Sequence, residues 1–310
     1  MVFRRSWFVA ILATAFGVAP LSATSFFFTA GTADGRLASL SQPASSSKLE
    51  TETADDFILS ETTVIRGATI TGLVVANAAQ PSIENVEIEI YRVFPNDSQP
   101  PSGNVPSRMN SPADVEIDAA TRDASRGTLS FAAALQNASF TVQNSVVSGV
   151  NKAPGNVTHG EGPVTGAEVQ ITVTFDPPII LPSEHYFFRP EVSVNGGDFL
   201  LLSAARPIVS PGTPFLPDLQ AWIRNSGLKP DWLRIGTDII DGGVAPTFNM
   251  TYSVSGETIP DAGTPGAADC QGVTVSALAR QFGGIDHAAG ALGFSTVAGL
   301  QRVVRDFCGR

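Results

Sequence analysis

The 310-residue sequence predicts a mainly β protein: an antiparallel, jelly-roll-like β-sandwich with a small disulfide-closed helical unit at its C-terminus. Three observations carry that expectation. Short runs rich in Val, Ile, Thr and Phe alternate apolar and polar residues with a period of two, which turns one face of each strand to a core and the other to water. Glycine (29) and proline (22) punctuate those runs as turn residues. After Gly256 the spacing becomes helical, and the chain's two cysteines, Cys270 and Cys308, bracket that segment.

The chain opens MVFRRSWFVAILATAFGVAPLSATS. Arg4 and Arg5, an uncharged apolar run and then small residues are the order of a bacterial-type secretory signal peptide, expected over 1–23. The apolar run is short for a membrane span, so no transmembrane segment is expected after its removal. Residues 24–48, rich in Ala and Ser, read as a flexible leader. The sandwich is expected over 49–256, a Pro/Gly/Ala linker over 257–268 and the helical unit over 269–310. The predicted location is secreted or periplasmic. The formal charge is −10, which argues against nucleic acid as a partner, because that needs a basic footprint.

Strands follow in order. Thr63–Val75 is a β-branched run with glycines that suggest bends. Ile83–Phe94 puts Val86, Ile88 and Ile90 on a buried face and Glu87, Glu89 and Tyr91 on a wet one. The stretch 95–123, full of Pro, Ser and Asn, is a long excursion from the sandwich. TLSFAA and ASFTVQNSVV read as two strands. Glu168–Phe175 alternates again, with Val169, Ile171, Val173 and Phe175 inward. HYFFRPEVSV, DFLLLSA, WLRIGTDI and TFNMTYSV complete about nine or ten strands, for which two packed sheets are the economical solution.

In the C-terminal segment, VSALARQF has helical spacing and stops at Gly283-Gly284. Asp286 and Ser295 are expected to cap a second and a third helix. Some forty residues bury too little apolar surface to be secure alone, and an exported chain meets an oxidising environment. A Cys270–Cys308 disulfide is therefore expected.

Two stretches carry a resemblance. ETADDFILSETTVIRGATITGLVV, Glu52 to Val75, is similar to the first strands of uncharacterised bacterial secreted β-sandwich proteins that begin with an Ala-Asp-Asp-Phe stretch. The segment from Cys270 to Cys308 resembles a short Cys-flanked helical tail of other secreted bacterial proteins. The resemblance implies a secreted sandwich; it brings no activity with it.

No catalytic residue is singled out. The three histidines lie in no zinc-ligand pattern, and there is no Gly-x-Ser-x-Gly elbow or phosphate-binding glycine loop. Asp55 and Asp56, adjacent at a strand start, are candidate calcium ligands, with Asp55 joining either Glu52 or Asp238 and Asp241; alternatively one is solvated and the other accepts from a backbone amide. Leu219, Trp222 and Ile223 are spaced as one helical turn that clamps onto the sandwich. Trp232 shares the outer face of its strand with Arg234 and Asp238. This trio is a candidate sugar-binding platform, unless the helical turn or the 95–123 excursion covers Trp232. The leading expectation is a non-catalytic protein of structural or interaction type, with an extracellular glycan or cell-surface protein as partner and the helical unit as a docking module. A carbohydrate-binding module and a polysaccharide-acting hydrolase are the alternatives. No cofactor other than calcium is expected.

Overall fold

Alternating apolar residues build two sheets that face each other across one core. The computed structural model describes residues 24–45, 48–76, 81–100, 104–150, 157–205, 219–240 and 247–309; the expected signal peptide lies outside them. The strands are β1 (Ser25–Thr29), β2 (Ala33–Leu40), β3 (Thr51–Ile58), β4 (Thr63–Ala76), β5 (Ser82–Val93), β6 (Pro112–Glu116), β7 (Arg122–Asp123), β8 (Leu129–Val142), β9 (Asn144–Val146) and β10 (Val164–Leu181). They continue with β11 (His185–Asn195), β12 (Gly197–Ala204), β13 (Trp222–Asn225), β14 (Leu233–Arg234), β15 (Asn249–Met250) and β16 (Tyr252–Thr258). Helices α1 (Cys270–Phe282), α2 (Ile285–Ala291) and α3 (Val297–Cys308) end the chain.

The larger sheet runs β1-β16-β4-β12-β2-β9, with β10 joining β4 to β8 and β15 beside β12; the smaller runs β14-β13-β3-β11-β5-β6, with β7 beside β5. Pairing is antiparallel except for β2 with β9. Between the sheets lie Ile70, Ile171 and Val173 from one side and Phe57, Ile88, Ile90 and Phe188 from the other. Phe188 stacks on Tyr252 across that gap, with ring centroids 4.8 Å apart. Each fully buried side chain of this size contributes about 1.5–3 kcal/mol, so this shared interior dominates the stability of the sandwich.

The expected mainly β class and the two-sheet arrangement hold, with five local corrections. The leader assigned to 24–48 contains β1 and β2, and Leu37 and Leu40 are completely buried. Its alanines and serines misled, because small residues also suit strands packed closely between others. DLQAWIR is not a helical turn: Trp222–Asn225 pairs with Thr51–Ala54 as a strand. WLRIGTDI is a strand only at Leu233–Arg234 and then winds into a helical turn, Ile235–Ile240. TLSFAA and ASFTV form one long strand, β8, bulged where its register against β10 shifts, and the NSV that follows is a separate strand, β9. The linker begins later than expected, because β16 runs to Thr258.

The helical unit is closed by the Cys270–Cys308 disulfide. α1 ends at Gly283, whose φ of 73° is a left-handed cap that suits glycine. The cap of α3 is Thr296, one residue beyond the expected Ser295, and its hydroxyl accepts from Gly299 N. Asp286 lies inside α2 and does not cap it. Leu278, Leu292, Leu300, Val304 and Phe307 pack together with Val64, Ile180 and Ile259 of the sandwich. The unit therefore caps one end of the sandwich and shares a core with it. Among the described residues no helix is long and apolar enough to cross a membrane.

Candidate functional site

The residues singled out from sequence are engaged inside the protein. Trp232 is 0% exposed. Its Nε1 donates to the Ala113 carbonyl at 3.1 Å, its ring meets Tyr91 edge-on, and the Arg224 guanidinium lies 4.2 Å above it. Residues of the 95–123 excursion thus cover Trp232, and a sugar ring cannot reach it. Trp222 is buried in the same apolar cluster. Arg234 donates to both carboxylate oxygens of Asp238, at 3.1 and 2.7 Å. This bidentate pair braces the helical turn 235–240, and the expected Trp232, Arg234 and Asp238 platform is not formed.

Asp55 and Asp56 are also buried, pointing to opposite sides of β3. Asp55 Oδ2 accepts from Met250 N, 2.7 Å away on the facing sheet. Asp56 Oδ1 accepts from Leu219 N at 2.8 Å, and Oδ2 lies 2.5 Å from His185 Nε2. The two carboxylates tie β3 to its neighbours and do not converge on one point. Asp241 lies outside the described residues. No grouping of three or more His, Cys, Asp or Glu able to hold a metal ion occurs among the described residues.

Two features went unread in the sequence. The first is a charge lattice on the outer face of the smaller sheet, where Glu87, Glu89 and Tyr91 were expected to be wet. Register places Arg224 opposite Glu52, Arg189 opposite Glu89 and Glu191 opposite Glu87. Arg189, itself buried, lies 3.3 Å from Glu52, 3.2 Å from Glu89 and 3.1 Å from Glu191. Arg224 and Lys229 also hold Glu52, at 2.5 and 2.6 Å. Burial alone would raise the Glu52 pKa, but Arg189, Arg224 and Lys229 outweigh it and bring it down to about 2. For Glu191, burial together with Glu50, Glu87 and Glu52 overcomes Arg189 and pushes the carboxyl up to about 7.

The signs of these shifts fix the pH response. Glu52 gives stability that is complete above its ordinary 4.5 and lost as pH falls through about 2. Glu191 does the reverse: its contribution is complete below 4.5 and lost as pH rises through about 7. Glu191→Gln keeps the shape and cannot ionise. It is expected to leave the thermal midpoint near pH 4 unchanged and to raise stability at pH 8, by up to about 3 kcal/mol. Equal midpoints for the two proteins at pH 8 would contradict this assignment.

The second feature is the outer face of the larger sheet. Register aligns Thr29, Ser253, Thr69, Thr172 and Ala132 in one row across β1, β16, β4, β10 and β8. Phe27, Ser255, Gly67, Thr174 and Ser130 form the next row. Gln170 lies opposite Thr71. Two adjoining recesses of about 550 and 680 Å³ lie over these rows and share Phe27, Thr69 and Ser253. Phe27 is 68% exposed, an unusual state for a Phe beside a floor of hydroxyls. A Cβ on Gly67 would lie 2.5 Å from the Val173 carbonyl oxygen, so glycine is needed for β4 and β10 to approach closely there. Arg66 and Glu257, 3.6 Å apart, close one end. Arg66 also donates to the Ala291 carbonyl, which brings the helical unit to the rim.

The surface is chemically simple: hydroxyls and amides repeat at the strand spacing of about 4.8 Å, an apolar ring stands at one side, and charge is confined to the ends. Such a surface can hydrogen-bond a neutral polyhydroxylated chain and stack against it. The polar side chains were legible as the wet faces of their strands. Which strands become neighbours was not, and Phe27 fell in the segment read as a leader. No protein-family model, no curated protein and no solved structure matches this chain. Fold and site together define it as a two-sheet β protein with a disulfide-closed helical cap and a hydroxyl-lined outer face.

Proposed function

We propose that this protein is a non-catalytic interaction protein, secreted or periplasmic in a bacterium, that binds a neutral polysaccharide along the outer face of its larger sheet. The observation that carries this reading is the pair of adjoining recesses floored by Thr69, Thr71, Gln170, Thr172 and Ser253, with exposed Phe27 at their shared rim. Repeated hydroxyl and amide groups suit sugar hydroxyls, and the Phe ring offers an apolar face to a pyranose. An anionic glycan is disfavoured by the formal charge of −10 and by Glu168 and Glu257 at the recess. Export is supported by the order of charge, apolar run and small residues in 1–23 and by the Cys270–Cys308 disulfide.

An array of neutral and anionic polysaccharides tests the proposal. Binding is expected to neutral chains. Phe27→Ala should weaken it roughly 5- to 10-fold, the loss of one aromatic contact. Arg234→Ala, on the other sheet, should leave affinity unchanged. Absence of binding to every neutral glycan, or equal affinity for wild type and Phe27→Ala, would remove this reading.

A further inference from the structure

Strand β8 ends the larger sheet on one side, and among the described residues it pairs with β10 alone. On its other edge the alternate backbone N–H and C=O groups of 130–135 that point away from β10 are a template for another strand. Folded proteins usually blunt such an edge with charge or proline, yet residues 129–142, LSFAAALQNASFTV, contain neither. The inward face of this edge is also uncovered: Leu135 is 62% exposed. With Phe131, Ala133, Val169, Val74 and Ile83 it lines an apolar recess of about 340 Å³.

We propose that β8 is a self-association edge, and that two copies of this chain pair their β8 strands antiparallel about a two-fold axis through Ala133. The sequence around that point is self-complementary. In this register Ala133 faces Ala133 of the second copy, Phe131 faces Leu135, and Ala132 faces Ala134. Phe131, Ala133 and Leu135 share the inward face, because their β10 partners Val173, Ile171 and Val169 point to the core. An aromatic–aliphatic cross-strand pair on each side of the axis is a favourable contact. It covers the exposed Leu135 and closes the apolar recess in both copies.

Charge favours this edge over the rest of the surface for a second copy. The chain carries −10 overall, so most approaches of two copies set like charges together. Along 129–142 there is no charge to repel. The interface is isologous and closes on itself as a dimer. The register shifts at Gln136 and beyond bend the strand and confine pairing to its regular half. The polar rows of the two copies would then lie on one face of a continuous sheet. The self-association stands whether or not those rows bind a glycan.

Sedimentation of the full-length mature chain tests this across the micromolar range. A concentration-dependent dimer is expected, and Ala133→Lys, which sets two ammonium groups face to face at an exposed position, should raise its dissociation constant at least about tenfold. Equal thermal midpoints will show that the variant is folded. Register is read separately. Opposed residues of antiparallel strands have Cα atoms about 4.5–5.5 Å apart, within disulfide range. Ala133→Cys should therefore oxidise to a reducible dimer, whereas Ala132→Cys, offset from its copy, should not. A monomer at every concentration overturns the proposal, as does a dimer indifferent to Ala133→Lys. Protection from exchange, in the monomer, of those amides of 130–135 that point away from β10 also overturns it, since another segment of the chain would then cover the edge.

Discussion

Arg189→Ala is expected to cost about 3–5 kcal/mol of unfolding free energy at pH 7, the usual penalty for breaking a buried ion pair from one side. Among the described residues, Arg189 is the one guanidinium that reaches Glu52, Glu89 and Glu191 together, with distances of 3.1 to 3.3 Å. Its removal leaves buried carboxylates facing one another with Arg224 and Lys229 on Glu52 alone. Much of the cost arises from the stranded charges, which keep their burial and lose their partner. That origin has a pH signature. Glu191 already titrates at about 7 and takes up a proton more readily once Arg189 is gone. The penalty should therefore shrink markedly at pH 5. Urea unfolding at both pH values checks this; a loss below about 1 kcal/mol at pH 7 would show the lattice to be solvated.

The Cys270→Ser, Cys308→Ser double variant is expected to lose about 4 kcal/mol, the chain-entropy value for a loop of this length. The sequence separation is 38 residues, and the three helices lie within the loop. Their own core is small, so the unit depends on two supports: the covalent closure and the shared surface with Val64, Ile180 and Ile259. Losing the first should loosen α1 to α3 ahead of the sheets. Amide exchange should report faster opening in 270–308 while β4, β10 and β11 keep their protection. Unchanged protection of the helices in the double variant would mean that packing on the sandwich suffices alone.

Much of the fold was legible because burial leaves a local imprint. The alternation in Glu168–Phe175 turns Ile171, Val173 and Phe175 into the core and leaves Val169 half-buried, and that in Thr247–Val254 buries Phe248, Met250, Tyr252 and Val254. Cys270 and Cys308 bracket a helical pattern, and they are joined. The misreadings have a common cause. Periodicity tells which face of a strand is turned from the core, not what lies on that face. Glu87, Glu89 and Tyr91 were read as wet, but Tyr91 is buried under Arg224 and Trp232, Glu89 holds Arg189, and both glutamates are half-buried. Trp232 was placed on an outer face correctly in kind, yet Ala113 and Arg224 close over it.

The candidate site was less legible still, since it is a product of strand order. Thr69, Thr172 and Ser253 are more than eighty residues apart along the chain in each successive step, and each alone is an ordinary wet-face residue. Only the pairing of β16, β4 and β10 aligns them. Phe27 gains meaning only because β1 adds to β16 at the sheet edge.

Hydroxyl-radical footprinting with the strongest-binding neutral polysaccharide from the array tests most directly whether recognition occurs on the outer face of the larger sheet. Phe27, 68% exposed, and Met109, 74% exposed and in the excursion that covers the smaller sheet, are two well-separated reporters. Bound polysaccharide is expected to protect Phe27 and leave Met109 as reactive as before. Protection of Met109 with Phe27 unchanged would contradict the assignment and move recognition to the other side of the molecule.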